Sequence, residues 1–214
     1  MATSQTSAMK DLQGYFKESE LLSFFGSLVS LRDRTLFRLL YKSGRRVSEV
    51  LSLKVKDIDW ELSMINYHIL KKKDKDHHAM KPIDNKTLAL LSDYCHESGF
   101  EEESYLFPKF KNRKLNNLGK PTVKPCEHMT RQAVWQIMQR QFKKLGIEKV
   151  GNKKPHPHHF RHTFAIRMAQ KMKTPADIRK LQMLLEHSNL GQTETYLQFR
   201  QEEVRALMEL DDVI

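Results

Sequence analysis

The chain has only two cysteines, Cys95 and Cys126, far apart and without a CxxC pair. That excludes a disulfide framework, and it points to reduced thiols in a cytoplasmic protein. No apolar run approaches the ~20 residues that cross a bilayer, and no signal peptide opens the chain. Internal repeats and low-complexity tracts are absent. Acid is scarce over one long stretch. From Tyr105 to Arg161, fourteen Lys or Arg stand against Glu127 and Glu148 alone, a local net charge of +12.

What is present fits a folded, basic protein. The 214 residues suffice for one full hydrophobic core, and 39% of them are hydrophobic. Thirty-seven Lys and Arg against 26 Asp and Glu give a formal charge of +11, with a pI near 9.6. The segment 105–161 accounts for this whole excess, whereas residues 200–214 carry a net −3. A cluster of this kind argues for a polyanionic partner, nucleic acid ahead of an acidic membrane.

Helical spacing begins at Ser19, with Leu21, Leu22, Phe25, Leu28 and Val29, and continues through Leu36, Leu39 and Leu40. Gly44 interrupts it, and Val47, Val50 and Leu51 predict a short helix after the glycine. MINYHIL (64–70) alternates, so Ile65, Tyr67 and Ile69 share one face of a strand. The polar run KKKDKDHHAMK then predicts a hairpin with a lysine-crowded tip. Further helices are expected at Thr87–Cys95, from Thr130 to Gly146, at 158–172, at 175–186 and at 192–198, while 99–129 is rich in loop residues. The fold class is mainly α with a small antiparallel β-sheet (α+β), in one domain.

KKPHPHHFRHTFAIRMAQ (153–170) packs His156, His158, His159 and His162 into seven positions with Arg161. On a helix, His158, Arg161 and His162 lie at i, i+3 and i+4 and share a face. Phe160, Phe164 and Met168 point elsewhere and would be buried. Two histidines at this spacing can bind zinc, but a site needs three or four ligands, and no HExxH glutamate is present. A guanidinium beside a dication is unfavourable, yet its fork suits a phosphate. Histidines that merely cap and pack a helix start are the plain alternative.

Two other segments bear on the choice. SGRRVSEVLSLKVKDIDW (43–60) sets an arginine at the start of a short helix, and LLEHSNLGQTETYLQF (184–199) places Tyr196 nine residues after His187. With Gly44-Arg45-Arg46-Val47-Ser48-Glu49 and His158-His159-Phe160-Arg161, the chain resembles the tyrosine recombinases, or phage integrases, including the Xer-type resolvases. The order and separations agree over about residues 19–200. The resemblance implies a catalytic domain acting on double-stranded DNA, without metal or ATP. Its catalytic set would be Arg46, Lys71, His158, Arg161, His187 and Tyr196. The two arginines would grip the scissile phosphate and stabilise its transition state. His158 would help take the tyrosine proton, and His187 would donate to a phosphate oxygen. Tyr196 would attack phosphorus and leave a 3′-phosphotyrosine. A hairpin lysine would protonate the leaving 5′-oxygen. Lys71 follows the strand most directly, though Lys72, Lys73 and Lys75 share the tip.

Lys109, Lys111, Arg113, Lys114 and Arg131, together with Lys120 and Lys124, would face DNA phosphates, positioning the protein without specifying sequence. The chain also departs from the family pattern. His159 replaces the usual acid, Arg45 the usual leucine, and Glu186 the usual glycine, where it would raise the pKa of His187. Only about 18 residues precede the first shared helix, which reads as a catalytic fragment or a minimal single-domain member. The expected organisation is a flexible segment 1–18, a catalytic domain 19–200 and a tail 201–214 that docks on a neighbouring protomer or packs in cis. Self-association on DNA, as a dimer or a synaptic tetramer, follows from the same resemblance. Two rivals remain: a DNA-binding module of this fold without strand exchange, and a metal-dependent nuclease built on the His-rich segment.

Overall fold

The computed structural model of the chain describes residues 14–69, 77–109, 127–171 and 174–185. Its elements run in the order α1 (Glu18–Ser27), α2 (Leu31–Ser43), α3 (Val47–Leu51), β1 (Ile58–Asp59), β2 (Met64–His68), β3 (His78–Pro82), α4 (Asn85–Ser98), α5 (Arg131–Lys144), α6 (His158–Lys171) and α7 (Pro175–Leu185). The expected mix of helices with one small antiparallel sheet is what forms.

Helix boundaries follow local chemistry. Asp84 caps α4 by accepting from the Thr87 amide, and Thr130 caps α5 by accepting from Ala133. Gly99 ends α4 with φ +62°, a left-handed conformation that glycine adopts without penalty. Arg38 of α2 reaches across to donate to Thr87 Oγ1 at 2.8 Å and Asp84 Oδ1 at 2.9 Å, which ties α2 to the start of α4.

The strands pair in the order β1-β2-β3, all antiparallel, with Ile58 opposite Ile65 and Asn66 opposite Met80. Ile65, Tyr67 and Ile69 are buried, as their alternation predicts. A register slip of one residue would carry all three to the other face of the sheet. Pairing continues beyond β2, where the Ile69 amide donates to His77 O at 2.8 Å. The two-residue strand β1 has no signature of its own in the sequence.

Phenylalanines from five parts of the chain form the centre of the core. Phe24 of α1 stacks on Phe142 of α5 at 4.6 Å and meets Phe37 of α2 edge-on at 5.0 Å. Phe16, which precedes α1, stacks on Phe142 at 5.1 Å and lies 4.9 Å from Phe160 of α6. Such pairs add about 0.5–1.5 kcal/mol each beyond the area they bury. The Phe16 amide also donates to Thr163 Oγ1 at 2.9 Å, a contact 147 residues apart in sequence. The packed structure therefore starts ahead of Ser19, where helical spacing begins. A second apolar cluster, Ala165, Ile166, Ala169, Leu181 and Leu185, joins α6 to α7. Among the described residues no helix is long and apolar enough to cross a membrane.

Candidate phosphate-binding site

The site begins at a turn that only glycine fits. Gly44 ends α2 with φ +61°, and a Cβ there would lie 2.4 Å from Phe164 Cδ1. Both the backbone conformation and the close ring require a bare α-carbon. Phe164 and Met168, both expected to be buried, are only partly so, and the Phe164 ring lies over the turn.

After the glycine, two consecutive arginines diverge. Arg46 is the N-cap residue of α3 and keeps 18% of its side chain exposed. Glu49, wholly buried, holds it twice. The carboxylate accepts from Arg46 Nη1 at 2.7 Å and from the Arg46 backbone amide at 3.1 Å. The acid thus caps the helix and aims the guanidinium. Arg45 turns inward and is 2% exposed, with its guanidinium 5.5 Å from the Tyr67 ring centroid and 4.0 Å from Glu49. Desolvation pushes the pKa of the buried Tyr67 hydroxyl upward.

Arg161 of α6 joins this turn to the rest of the site. Its Nη1 donates to Gly44 O at 2.7 Å and its Nη2 to Leu185 O at 2.6 Å. One planar fork therefore connects the arginine turn, α6 and the last residue of α7. His158 occupies the first position of α6 and is exposed, three residues ahead of Arg161. Arg46 and the His158–Arg161 pair, more than a hundred residues apart in sequence, thus come from segments in direct contact.

The other histidines divide by burial. His156 and His159 face each other with ring centroids 3.7 Å apart, and His159 meets Phe16 edge-on at 5.7 Å. The His156 amide donates to His159 Nδ1 at 3.4 Å, leaving the proton of a neutral ring on Nε2. Burial, reinforced by mutual repulsion, lowers His156 to about 4 and His159 to about 3. His162, part-buried near His158, falls to about 4. These three rings are neutral near pH 7, so at that pH they lend the site no positive charge. His159 is a core residue. The sequence had given it no role, and its one visible oddity was replacing a family acid. Among the described residues, no three His, Cys, Asp or Glu side chains group in a way that holds a metal ion.

Of the remaining expected residues, Lys109 pairs with Glu127 at 3.0 Å, and Arg131 is exposed at the start of α5. The Lys109 amide donates to Glu127 O, and Pro108 bridges to His128, so both ends of the 109–127 stretch are anchored side by side. Lys71, Lys111, Arg113, Lys114, His187 and Tyr196 lie outside the described residues, as does the expected helix 192–198. Sequence reasoning missed two cations that touch the same helix end as Arg161: Arg45 Nη2 donates to Leu184 O, and Lys81 Nζ donates to Met183 O at 2.9 Å.

The model of the phage integrase family matches residues 15–203. Tyrosine recombinase XerA of Pyrococcus horikoshii is 29% identical over 200 residues, 94% of this chain and 62% of its own length. Tyrosine recombinase XerC of Staphylococcus carnosus is 31% identical over 204 residues, 91% of this chain and 60% of its own length. A crystal structure of XerA recombinase superposes with TM-score 0.67 at 22% identity, covering 92% of this chain and 64% of that one. A XerH site-specific recombinase in a post-cleavage complex with a palindromic difH substrate gives 0.68 at 23% identity, covering 92% and 54%. The chain belongs to the phage integrase family and has the fold of tyrosine recombinase catalytic domains. It spans between 50% and 62% of the length of the curated relatives it matches.

Proposed function

We propose that this chain is the catalytic domain of a site-specific DNA recombinase, cleaving and rejoining duplex DNA through a covalent 3′-phosphotyrosine. The observation that carries the proposal is the Arg161–Gly44 hydrogen bond, which brings the Arg46 turn against the helix bearing His158. Two guanidiniums and an imidazole carried on these touching segments would suit the non-bridging oxygens of a phosphodiester.

In this reaction Tyr196 Oη attacks phosphorus and the P–O5′ bond breaks. The phenolic proton passes to His158, and the leaving 5′-oxygen takes a proton from Lys71 at the hairpin tip. His187 donates to a phosphate oxygen. Arg46 and Arg161 balance the charge that builds on the pentacoordinate phosphorus, a task that many nucleases give to paired metal ions. The phosphotyrosine conserves the bond energy, so religation by the free 5′-hydroxyl needs no ATP. Lys109, Lys111, Arg113, Lys114 and Arg131 contact the DNA backbone, with the catalytic domain at 19–200 and the tail 201–214 docking on a second protomer within a DNA-bound dimer or tetramer. The setting is the cytoplasm, in keeping with two cysteines that form no CxxC pair and with a basic chain. Cys95, part-buried, has its thiol pushed up to about 11 by desolvation, which leaves it unreactive.

The test is a nicked suicide duplex carrying a candidate site. Protein attached to the 3′ end in the presence of EDTA, and lost in Tyr196→Phe while DNA binding persists, is the expected result. Cleavage that EDTA abolishes would support the metal-dependent nuclease, and binding without any adduct would support the module that no longer cuts.

A further inference from the structure

Three consecutive carbonyls of α7 each accept from a cation on a different part of the fold: Met183 O from Lys81 of β3, Leu184 O from Arg45 and Leu185 O from Arg161. The helix dipole favours cations towards the C-terminal side of a helix. Lys81 reaches this end from the surface, and Arg161 belongs to the phosphate site. Arg45 is the unexplained member. Its guanidinium lies in the interior between Tyr67 and Glu49, where a leucine, the residue usual in the family, would pack without any desolvation penalty.

What the guanidinium gains is its two neighbours. One is Leu184 O, three residues ahead of His187 in sequence. The other is Glu49, the carboxylate that holds Arg46. Resting on the recombinase reading, we propose that Arg45 is a positioning residue, tying Leu184 of α7 to the acid that aims Arg46 so that α7 and the arginine turn keep one fixed geometry. Arg45 also changes the charge balance. A Glu49–Arg46 pair alone is neutral, whereas the Arg45–Glu49–Arg46 trio carries a net positive charge, so the part-exposed Arg46 head keeps its pull on an anion.

The test compares Arg45→Leu, Arg45→Met and Arg45→Lys with wild type in the full chain. Hydrogen exchange is read at the amides of residues 181–185. Covalent adduct on a saturating nicked duplex, duplex affinity and Tm are measured alongside. The expected result for Leu and Met is an adduct rate lower by roughly 10-fold to 100-fold, with unchanged affinity, a Tm no lower than wild type, and faster exchange confined to 181–185. Lysine, which keeps the charge and one donor direction, should recover part of the rate. An adduct rate equal to wild type in Arg45→Leu overturns the proposal. So does a rate loss accompanied by lower Tm and faster exchange throughout the chain. If wild type itself forms no adduct, the recombinase reading fails. Exchange at 181–185 then still decides the tie: a local increase upholds it, and no change overturns it.

Discussion

Arg161 Nη1 lies 2.7 Å from the carbonyl oxygen of Gly44, a residue 117 positions earlier in the chain. The same fork holds Leu185 O through Nη2, so a single buried side chain closes the site from two directions. Arg161→Lys offers one ammonium where two parallel donors stood. It should lower adduct formation by about 100-fold, because losing one of the two carbonyl contacts lets the site's segments shift. Arg161→Ala leaves two buried carbonyls unpaired and should cost about 2–4 kcal/mol of unfolding free energy, measured by urea denaturation.

Gly44→Ala meets two penalties. The left-handed backbone costs on the order of 1 kcal/mol for alanine, and the methyl group collides with the Phe164 ring. A total loss of about 2 kcal/mol or more is expected. Combining it with Phe164→Ala should cost less than the sum of the two single changes, because the collision vanishes while the backbone term stays. Strict additivity in that double-mutant cycle would refute the contact.

Glu49→Gln keeps the shape of the acid that caps α3 but removes its charge. Two arginines, one of them wholly buried, then face a neutral amide. The expected destabilisation is about 3–5 kcal/mol. Adduct formation should fall more than DNA affinity does, because Arg46 loses its aim and not its charge. A variant with wild-type Tm and rate would show that Glu49 holds nothing.

Acid should loosen the region around the start of α6. His156, His159 and His162 have folded-state pKa values near 4, 3 and 4, below the ordinary 6.5. The unfolded chain therefore binds more protons than the folded one between those values. Their contribution to stability is complete above about pH 6.5 and declines as pH falls towards 3–4. Unfolding free energy should drop by on the order of 1 kcal/mol or more between pH 6.5 and 4.5. His159→Phe, which cannot be protonated, should flatten that slope. An equal slope in the variant would place the acid sensitivity elsewhere.

Most elements were legible because local chemistry alone sets them. The alternation at Ile65, Tyr67 and Ile69, the glycine after Ser43 and the cap at Thr130 each predicted a boundary or a face that the structure reproduces. The pairing of the Arg46 turn with α6 was legible only through family resemblance, because no periodicity links residues 117 apart. What the sequence concealed is contact made by side chains of unexpected type. Arg45 and His159 carry charge or polarity that favours the surface, yet both are interior, each matched to partners from distant segments. Strand β1 was missed because two residues are too few to show a period.

The ring of Phe16 between Phe142 and Phe160 bears on how this protein should be handled in the laboratory. Cutting the chain at residue 19, where helical spacing begins, would remove a core side chain and open a void between two helices, a loss of about 3–5 kcal/mol for a buried phenylalanine. It would also release the Thr163 hydroxyl and uncover His159, next to the helix that carries His158 and Arg161. An expression boundary upstream of Gly14 keeps that wedge in place. Any side chain introduced at position 14 would crowd the His159 ring, because a Cβ there would lie 2.8 Å from its Nε2.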